Sequence, residues 1–211
     1  MARPAGVSGA ETMRAIRKAA IARIFRHGFE AMKLRDLAAD VSLTIGSLYN
    51  YIPQKQEFLG HLSEDILLEL LSDLNAQVSP VADPYEKLFA FVRFHIEWHT
   101  ARRQEVFIGN MELRSLSPAQ YQRVIALRKC YEKYLQTILR QGSKAGCLTI
   151  RDAKITSYAV LAMLTGVSNW YRPSGRLSQA RLIRLYQELV AGVIGVRAPG
   201  VRADSAAKTA R

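Results

Sequence analysis

The side chains best suited to contact another molecule lie in one short segment, residues 44–51. Thr44 can cap a helix by accepting a hydrogen bond from a backbone N–H two or three residues further on. Pro53 lacks an amide proton and disfavours helical backbone at Ile52, so the sequence predicts a helix over about residues 44–51. Leu48 and Ile52 form its inward face. The outward side chains are small, aromatic or amide-bearing and carry almost no charge: Ile45, Ser47, Tyr49 and Asn50.

A second short helix precedes this segment. Leu34, Leu37 and Ala38 recur at the spacing of one helical face, and residues 40–43 interrupt the pattern. Two short helices joined so tightly form a helix-turn-helix, whose second helix lies in the major groove of DNA. The segment therefore predicts a DNA-binding unit.

Residues 36–59 resemble the N-terminal signature of the TetR family of bacterial repressors. Their order is D-L-A-A-x-V-S-x-x-x-G-S-L-Y-x-Y-I-P-x-K-x-x-F-L, and G-S-L-Y-x-Y followed by Lys55 is its most specific part. The resemblance implies that phosphate contacts position the protein and that base contacts specify the sequence. It assigns phosphate contacts to Lys33, Tyr49 and Lys55. The candidates to reach base edges are Thr44, Ile45, Ser47 and Asn50.

Three positions depart from the family pattern. The first helix of the motif starts at Met32-Lys33 instead of Thr or Ser, so we expect it to lack a side-chain cap. The turn contains Ser42 where the family usually has glycine. Ile45 replaces a frequent lysine, and its side chain could touch a thymine methyl group but cannot donate a hydrogen bond to guanine. The operator sequence therefore stays open.

The chain carries a formal net charge of +12 over 211 residues. Such an excess favours an acidic partner, namely nucleic acid, an anionic membrane or a polyanionic ligand, although a basic soluble surface would account for it equally well. Cys130 and Cys147 have no paired spacing, which argues against a disulfide framework and a zinc site. No apolar run approaches the ~20 residues that a membrane span needs. We therefore predict a cytoplasmic protein without a membrane partner.

The remaining periodicities predict an all-α chain of about nine helices. Besides the two helices of the motif, we expect helices at 11–27, 54–77, from Pro84, at 103–115, 118–145, 152–170 and 177–195. We assign residues 10–55 to a DNA-binding domain and 56–196 to a ligand-binding and dimerisation domain. Residues 1–9 and 197–211 are predicted to be disordered.

Two late segments bear on the oligomeric state. Residues 155–167 are apolar almost all round, and residues 182–194 have a wide apolar face. Two such helices from each of two subunits would form a four-helix bundle, as the family resemblance implies; the alternative is that both close the core of one subunit. The predicted dimerisation residues are Tyr158, Leu161, Leu182, Leu185, Tyr186, Leu189 and Val193.

A further resemblance concerns the effector. The segments EVFIGNMELRSL (105–116) and GVSNWYRPSGRLS (166–178) resemble the ligand domain of acyl-CoA-responsive TetR regulators of fatty-acid, aromatic-acid or steroid-ring degradation. An acyl-CoA thioester would need an apolar tunnel and a basic mouth. The tunnel candidates are Phe91, Phe107, Met111, Trp170 and Tyr171, and the mouth candidates are Arg103, Arg114 and Arg172.

Some of these residues have structural alternatives. Asn110 and Asn169 lie in otherwise apolar helices, where an unpaired amide is costly, so each needs a partner in the ligand or in a neighbouring helix. For Trp170 the alternative role is core packing. For Arg172 it is an ion pair that stabilises the following loop.

His95 and His99 lie four residues apart on the predicted inward face of one helix. Two imidazoles at this spacing can share a metal ion, but the string HIEWH does not place its glutamate as the HExxH zinc-protease pattern does. We therefore predict that they line the ligand pocket or form a core pair, without a metal ion. The sequence has no nucleophile motif, no phosphate-cradling glycine loop and no paired acids with a base, so we expect no enzyme activity and no cofactor.

Together these features predict a homodimeric repressor that leaves a palindromic DNA operator when a small effector, an acyl-CoA thioester, binds. One alternative keeps the fold and makes the chain a regulator of multidrug efflux that responds to lipophilic drugs; the arginines at 102, 103, 114 and 172 argue against lipophilic cations. A second alternative is an architectural nucleic-acid protein without an effector. A third, an enzyme acting on CoA thioesters, lacks a catalytic constellation.

Overall fold

The structure, a computed structural model, describes residues 8–195. Over this range the chain is all-α without a β-strand, which confirms the predicted fold class. A turn of 3₁₀ helix, Glu112–Ser115, interrupts the series. The α-helices are α1 (Gly9–His27), α2 (Leu34–Asp40), α3 (Ile45–Tyr49), α4 (Lys55–Val78), α5 (Pro84–Ala101), α6 (Arg103–Met111), α7 (Pro118–Lys144), α8 (Ala153–Thr165), α9 (Val167–Trp170) and α10 (Gln179–Ile194).

Two predicted helices are divided in the structure. The helix predicted over 103–115 is α6 followed by the 3₁₀ turn, and the helix predicted over 152–170 is α8 followed by the short α9. At the second break the Ser168 hydroxyl donates to the Thr165 carbonyl at 2.8 Å. A side chain that bonds to the preceding turn competes with the backbone ladder, and this local competition accounts for the interruption.

α1 begins two residues earlier than predicted because Ser8 and Glu11 form a capping box. The Ser8 hydroxyl accepts from the Glu11 amide at 3.2 Å, and the Glu11 carboxylate accepts from the Ser8 amide at 2.7 Å. Ser8 and Gly9 thus belong to the helix start and not to a disordered segment. The rest of the predicted disorder, residues 1–7 and 197–211, lies outside the described range. Gly28, at φ 79°, ends α1 as predicted.

The chain forms two compact units. Within the described range, unit 1 comprises residues 8–73 and 98–131, and unit 2 comprises residues 74–97 and 132–195. Three long helices, α4, α5 and α7, each contribute to both units. The predicted boundary between residues 55 and 56 separates the expected DNA-binding and ligand-binding functions. It does not coincide with a boundary of these units, and it stays a prediction.

The core of unit 1 fixes the helix-turn-helix. Ile16 and Ile24 of α1, Leu37 of α2 and Leu48 of α3 are completely buried. Burying each of these side chains stabilises the fold by about 1.5–3 kcal/mol. α1 contacts α2, and α2 contacts α3, so α3 is supported by a packed three-helix body.

Unit 2 has its own core, to which α5, α7, α8 and α10 contribute. Phe91, Leu135 and Val160 are completely buried. The side-chain amide of Gln187 in α10 donates to the Phe89 carbonyl of α5 at 3.0 Å. Ser178 caps α10, whose end at left-handed Gly195 agrees with the predicted helix over 177–195.

Candidate DNA-binding and ligand-binding residues

α3 presents two chemically different faces. Leu48 and the following Ile52 are completely buried, as predicted. Tyr49 is 50% exposed and Ile45 is 38% exposed, and Asn50 is exposed beside them. Tyr49 therefore does not pack in the core. α3 therefore offers a mainly uncharged surface of the kind that contacts base edges.

Hydroxyl groups define the start of α3. Thr44 Oγ1 accepts from the Ser47 amide at 3.1 Å, which confirms the predicted cap. The Thr44 and Ser47 hydroxyls lie 2.9 Å apart and share a hydrogen bond. Both hydroxyls thus have an intramolecular partner, so a base contact would have to use the remaining lone pairs or protons.

The turn before α3 carries the strain that the sequence predicts. Ser42 has φ 55°, in the left-handed region. The backbone continues through a hydrogen bond from the Leu43 amide to the Ala38 carbonyl at 2.9 Å. Lys33, the N-cap residue of α2, makes no side-chain cap, which confirms that expectation. Its exposed side chain is available for a phosphate.

Lys55 has a more restricted position than the sequence suggests. Its Nζ donates to the Glu30 carbonyl at 3.1 Å and lies 4.4 Å from the centre of the Phe29 ring. These contacts attach the first residue of α4 to the loop between α1 and α2. A phosphate contact by Lys55 stays a prediction, in which the lysine would share its protons between the loop and DNA.

An ion-pair cluster joins α1 to α2. Arg23 donates through Nε and Nη2 to the Asp40 carboxylate, the second bond at 2.8 Å, and Nη2 also donates to the Asp36 carbonyl at 3.1 Å. The hydrogen bond from Arg23 lowers the pKa of Asp40, against a smaller opposing effect of desolvation. The spacing of Arg23 predicts that it faces the motif, but not which acid it meets.

A buried carboxylate, which sequence reasoning missed, also supports the motif. Glu112 is 8% exposed, and its Oε1 accepts from the Phe29 amide at 3.1 Å. Oε2 accepts from the Ser115 hydroxyl at 3.2 Å. The only available signal is an acid between two apolar residues, Met111 and Leu113. That pattern also fits an exposed position, so the partner could not be named.

The predicted ligand residues of unit 1 have mixed environments. The Phe107 ring meets Phe25 edge-on at 5.2 Å, and the Arg103 guanidinium lies 5.9 Å from the Phe25 centre. Asn110 Oδ1 accepts from Arg128 at 3.1 Å, so its required partner is a neighbouring helix. Ligand contact is not needed to satisfy this amide.

Two further predicted ligand residues of unit 1 lie at the surface, and a third lies inside. Met111 is 53% exposed and Arg114 is also exposed. Met111 is the last residue of α6, and Arg114 belongs to the 3₁₀ turn that follows it. His99 is 7% exposed, with its ring 5.4 Å from that of Trp98.

In unit 2, Phe91 and His95 are core residues. Phe91 is completely buried and its ring stacks on Tyr134 at 6.5 Å. His95 is 1% exposed, and its Nε2 lies 3.4 Å from the Thr165 hydroxyl. Within residues 8–195, no group of three or more His, Cys, Asp or Glu side chains could hold a metal ion. His95 therefore has the environment of a core residue.

The segment after α8 combines an exposed and a buried aromatic residue. Trp170 is 50% exposed, and its side chain makes a hydrogen bond to that of Tyr186. The alternative that Trp170 packs in the core is therefore wrong. Tyr171 is 7% exposed. Arg172 donates to the Asn169 and Tyr171 carbonyls at 3.3 and 3.0 Å. Arg172 thus stabilises the loop through backbone hydrogen bonds rather than through an ion pair.

The predicted dimerisation residues separate into two groups. Tyr158, Leu189 and Val193 are 42%, 53% and 59% exposed, which leaves an apolar surface on α8 and α10. Leu161, Leu185 and Tyr186 are half-buried. Leu182 is 1% exposed and packs in the core of its own subunit, because it starts α10 on the inward side. For Leu182 the predicted role in the interface is wrong.

A helix-turn-helix followed by an all-α second half is the architecture of a class of helical transcription regulators. A family model described as "Tetracyclin repressor-like, C-terminal domain" matches residues 81–194, more than half of the chain. The chain belongs to the TetR family of DNA-binding regulators. Within residues 8–195, no helix has the length and apolar character needed to cross a membrane.

Individual relatives place the chain within that family. It is 27% identical over 169 residues to the HTH-type transcriptional repressor KstR2 of Mycolicibacterium smegmatis, covering 79% of this chain and 82% of that protein. The TetR regulator PfmR from Thermus thermophilus is 30% identical with a TM-score of 0.76, over 83% and 96% of the two chains. AibR, solved in complex with isovaleryl coenzyme A and operator DNA, shares the fold at a TM-score of 0.79 and 24% identity, over 89% and 100% of the two chains.

Proposed function

We propose that this chain is a homodimeric transcriptional repressor that binds a palindromic operator and leaves it when an acyl-CoA thioester binds. One observation carries the DNA-binding part: α3 holds Tyr49, Asn50 and Ile45 exposed on a helix whose other face is completely buried. A packed three-helix body thus presents side chains at fixed positions to a groove. The similarity to the repressor KstR2 supports repression rather than activation of transcription.

Dimerisation follows from the exposed apolar surface of the second half. Leu189, Val193 and Tyr158 favour association, since exposed apolar side chains on neighbouring helices mark contact surfaces. A two-fold dimer would place two copies of α3 at half-sites about 34–36 Å apart or a multiple of that spacing, which requires a palindromic operator. A role on chromosomal DNA also means a cytoplasmic location.

Two observations support the effector class: a resemblance of sequence segments and the similar structure of AibR. The segments 105–116 and 166–178 resemble acyl-CoA-responsive regulators, and AibR binds isovaleryl coenzyme A and operator DNA. In unit 1, Phe107 offers aromatic surface and Arg103 offers positive charge. In unit 2, Trp170 and Arg172 offer the same two kinds of group. A thioester that combines an acyl chain with phosphates uses both kinds of surface.

Release would act through α4. This helix starts at Lys55, which is attached to the loop before the DNA-reading helices, and it continues for 24 residues. A ligand that prefers a different position of α4 would displace both α3 helices from successive major grooves. Each tenfold loss of operator affinity requires a preference of ~1.4 kcal/mol for the released state.

Two binding measurements test the proposal. Fluorescence anisotropy on DNA upstream of the protein's own gene, against shuffled DNA at a stated salt concentration, should show sequence-specific binding. Calorimetry on the DNA-free protein should show saturable binding of one acyl-CoA, with free CoA and the free acid as controls. Specific DNA binding without any acyl-CoA binding would retain the regulator and remove the acyl-CoA assignment; lipophilic drugs would form the next panel.

A further inference from the structure

A cleft of about 460 Å³ opens in unit 1 between the middle of α1 and the junction of α5 with α6. Five of its nine lining residues are arginine or lysine and one is acidic. We call it the basic cleft. Its lining consists of Arg14, Arg17, Lys18, Ile21, Ala101, Arg102, Arg103, Gln104 and Glu105.

Acidic side chains of α4 neutralise only part of this charge. Glu69 pairs with Arg17 at 2.8 Å and also with Arg102, and Asp73 lies 3.8 Å from Arg102. Arg14 and Lys18 are exposed, and neither has an ion-pair partner within the part of the chain that the structure describes. The basic cleft therefore keeps a positive excess at its α1 side.

Arg17 adds an unmet demand for an acceptor. Its Nε and Nη2 atoms are buried, and neither has a hydrogen-bond partner in the structure. Nη2 has only the Glu105 carboxylate at 3.7 Å, which is too long for a hydrogen bond. Because a buried donor without an acceptor is costly, an oxygen-rich anion next to Arg17 would stabilise this arrangement.

The N-terminus of α6 points to the same kind of occupant. Arg102, Arg103, Gln104 and Glu105 all line the cleft, and they form the N-cap and first turn of this nine-residue helix. No side chain caps that terminus. The positive end of a helix favours an anion, and phosphates bind at such termini.

We propose that the basic cleft binds a phosphate-bearing anion of the size of pyrophosphate or a nucleotide. A volume of about 460 Å³ is in the range of small-molecule sites and exceeds the need of a simple ion. Glu69, which anchors Arg17, lies about four helical turns, or about 21 Å, along α4 from Lys55. None of the nine lining residues belongs to α3, so we assign the cleft a soluble anion rather than the operator backbone. It goes beyond the proposed function and does not depend on it.

The test uses the full-length protein without DNA and inorganic pyrophosphate as the probe. Isothermal titration calorimetry at about 50 mM salt compares the wild type with Arg14→Gln/Lys18→Gln, whose side chains are exposed and make no ion pair. The matched control is Lys129→Gln/Lys133→Gln, which removes the same charge from exposed positions of α7. We expect the first pair to weaken pyrophosphate binding by about tenfold or more and the control pair by less than about twofold.

Two results would overturn the site. One is that the wild type does not bind pyrophosphate at millimolar concentrations. The other is an equal loss in both double variants, which would show only the general attraction of a basic protein for anions.

Repeating the titration with free CoA identifies the source of the phosphate. If Arg14→Gln/Lys18→Gln weakens CoA and pyrophosphate alike, the occupant is the nucleotide part of a CoA effector. If only pyrophosphate binding falls, the occupant is a separate phosphate anion. Operator binding takes no part in the measurement, so its failure leaves the proposed function intact.

Discussion

Adjacent residues of α3 have opposite environments, which separates the contact surface from the core. Leu48 is completely buried, whereas Tyr49 is half exposed. Removing the Tyr49 side chain should therefore leave the packing of α3 almost unchanged. Substitution of Tyr49 can therefore separate an effect on DNA binding from an effect on stability.

Tyr49→Ala should reduce operator affinity by about 100-fold, because each of two half-sites loses an aromatic and hydroxyl contact to the backbone. The dimer, the melting temperature and effector binding should be unchanged. Anisotropy measures operator affinity, light scattering the dimer, thermal unfolding the melting temperature and calorimetry effector binding. Tyr121→Ala on α7 is the control, since Tyr121 is 41% exposed. Loss of the dimer in Tyr49→Ala would mean that the residue is structural.

Asp40 should contribute stability that depends on pH. Its hydrogen bond from Arg23 lowers its pKa in the folded state, so the folded protein binds a proton less readily than the unfolded chain. The contribution is present above the unfolded pKa of about 3.9 and is lost as the pH falls through the folded pKa. Because the Asp40 side chain is 39% exposed, we expect no more than about 1 kcal/mol.

Thermal unfolding of Asp40→Asn tests this sign. The variant should be less stable than the wild type at pH 7, and the difference should shrink as the pH falls through the lowered pKa of folded Asp40. High salt should shrink it. Asp65→Asn, which removes an exposed acid of α4, is the control. A deficit that persists unchanged in acid would show that packing, and not the Arg23 pair, causes it.

The turn before α3 has a measurable cost in the free energy of folding. Ser42 at φ 55° occupies a conformation that glycine adopts without a steric penalty. Ser42→Gly should raise the free energy of unfolding by up to about 1 kcal/mol. Ser72→Gly, at an exposed position inside α4, should lower it by about 0.5 kcal/mol. Denaturant melts measure both; equal destabilisation by the two changes would refute a strained turn.

Helix starts and stops followed from local chemistry. The Thr44 cap, the Gly28 end and the Ser178 start depend on residues within three or four positions, so the sequence predicts them well. The break at Gly166 is also local, through Ser168 and Thr165, whereas the break at Glu112 depends on a distant partner. Glu112 leaves the helical pattern to accept from Phe29, 83 positions away, which no local pattern contains.

The candidate sites also differ in whether nearby residues or distant partners determine them. The outward and inward faces of α3 were predictable because a single helical period assigns them. In the second half, Met111 lies at the surface and Leu182 in the core, contrary to prediction. Their placement depends on where α6 ends and how α10 packs. The basic cleft was missed because its residues come from α1 and from the α5–α6 junction, far apart in sequence, and only Arg103 was a predicted ligand residue.

The apolar surface of α8 and α10 should hold the dimer together. Leu189→Arg places a charge where Leu189 is 53% exposed in the single subunit. Burying it in a dimer interface costs several kcal/mol, so the dissociation constant should rise by at least about 100-fold. Light scattering measures the mass, with Leu68→Arg, a 52% exposed position on α4, as the control. A dimer that survives Leu189→Arg but not Leu68→Arg would place the interface elsewhere.

We propose that effector binding and operator binding are coupled within one protein. The most direct measurement is the operator affinity of the dimer in the absence and presence of a saturating acyl-CoA, determined by anisotropy at a fixed salt concentration. We expect one acyl-CoA to weaken operator binding by about tenfold or more, equivalent to ~1.4 kcal/mol or more of coupling, while free CoA and the free acid do not. An acyl-CoA that binds tightly and leaves operator affinity unchanged would contradict the account.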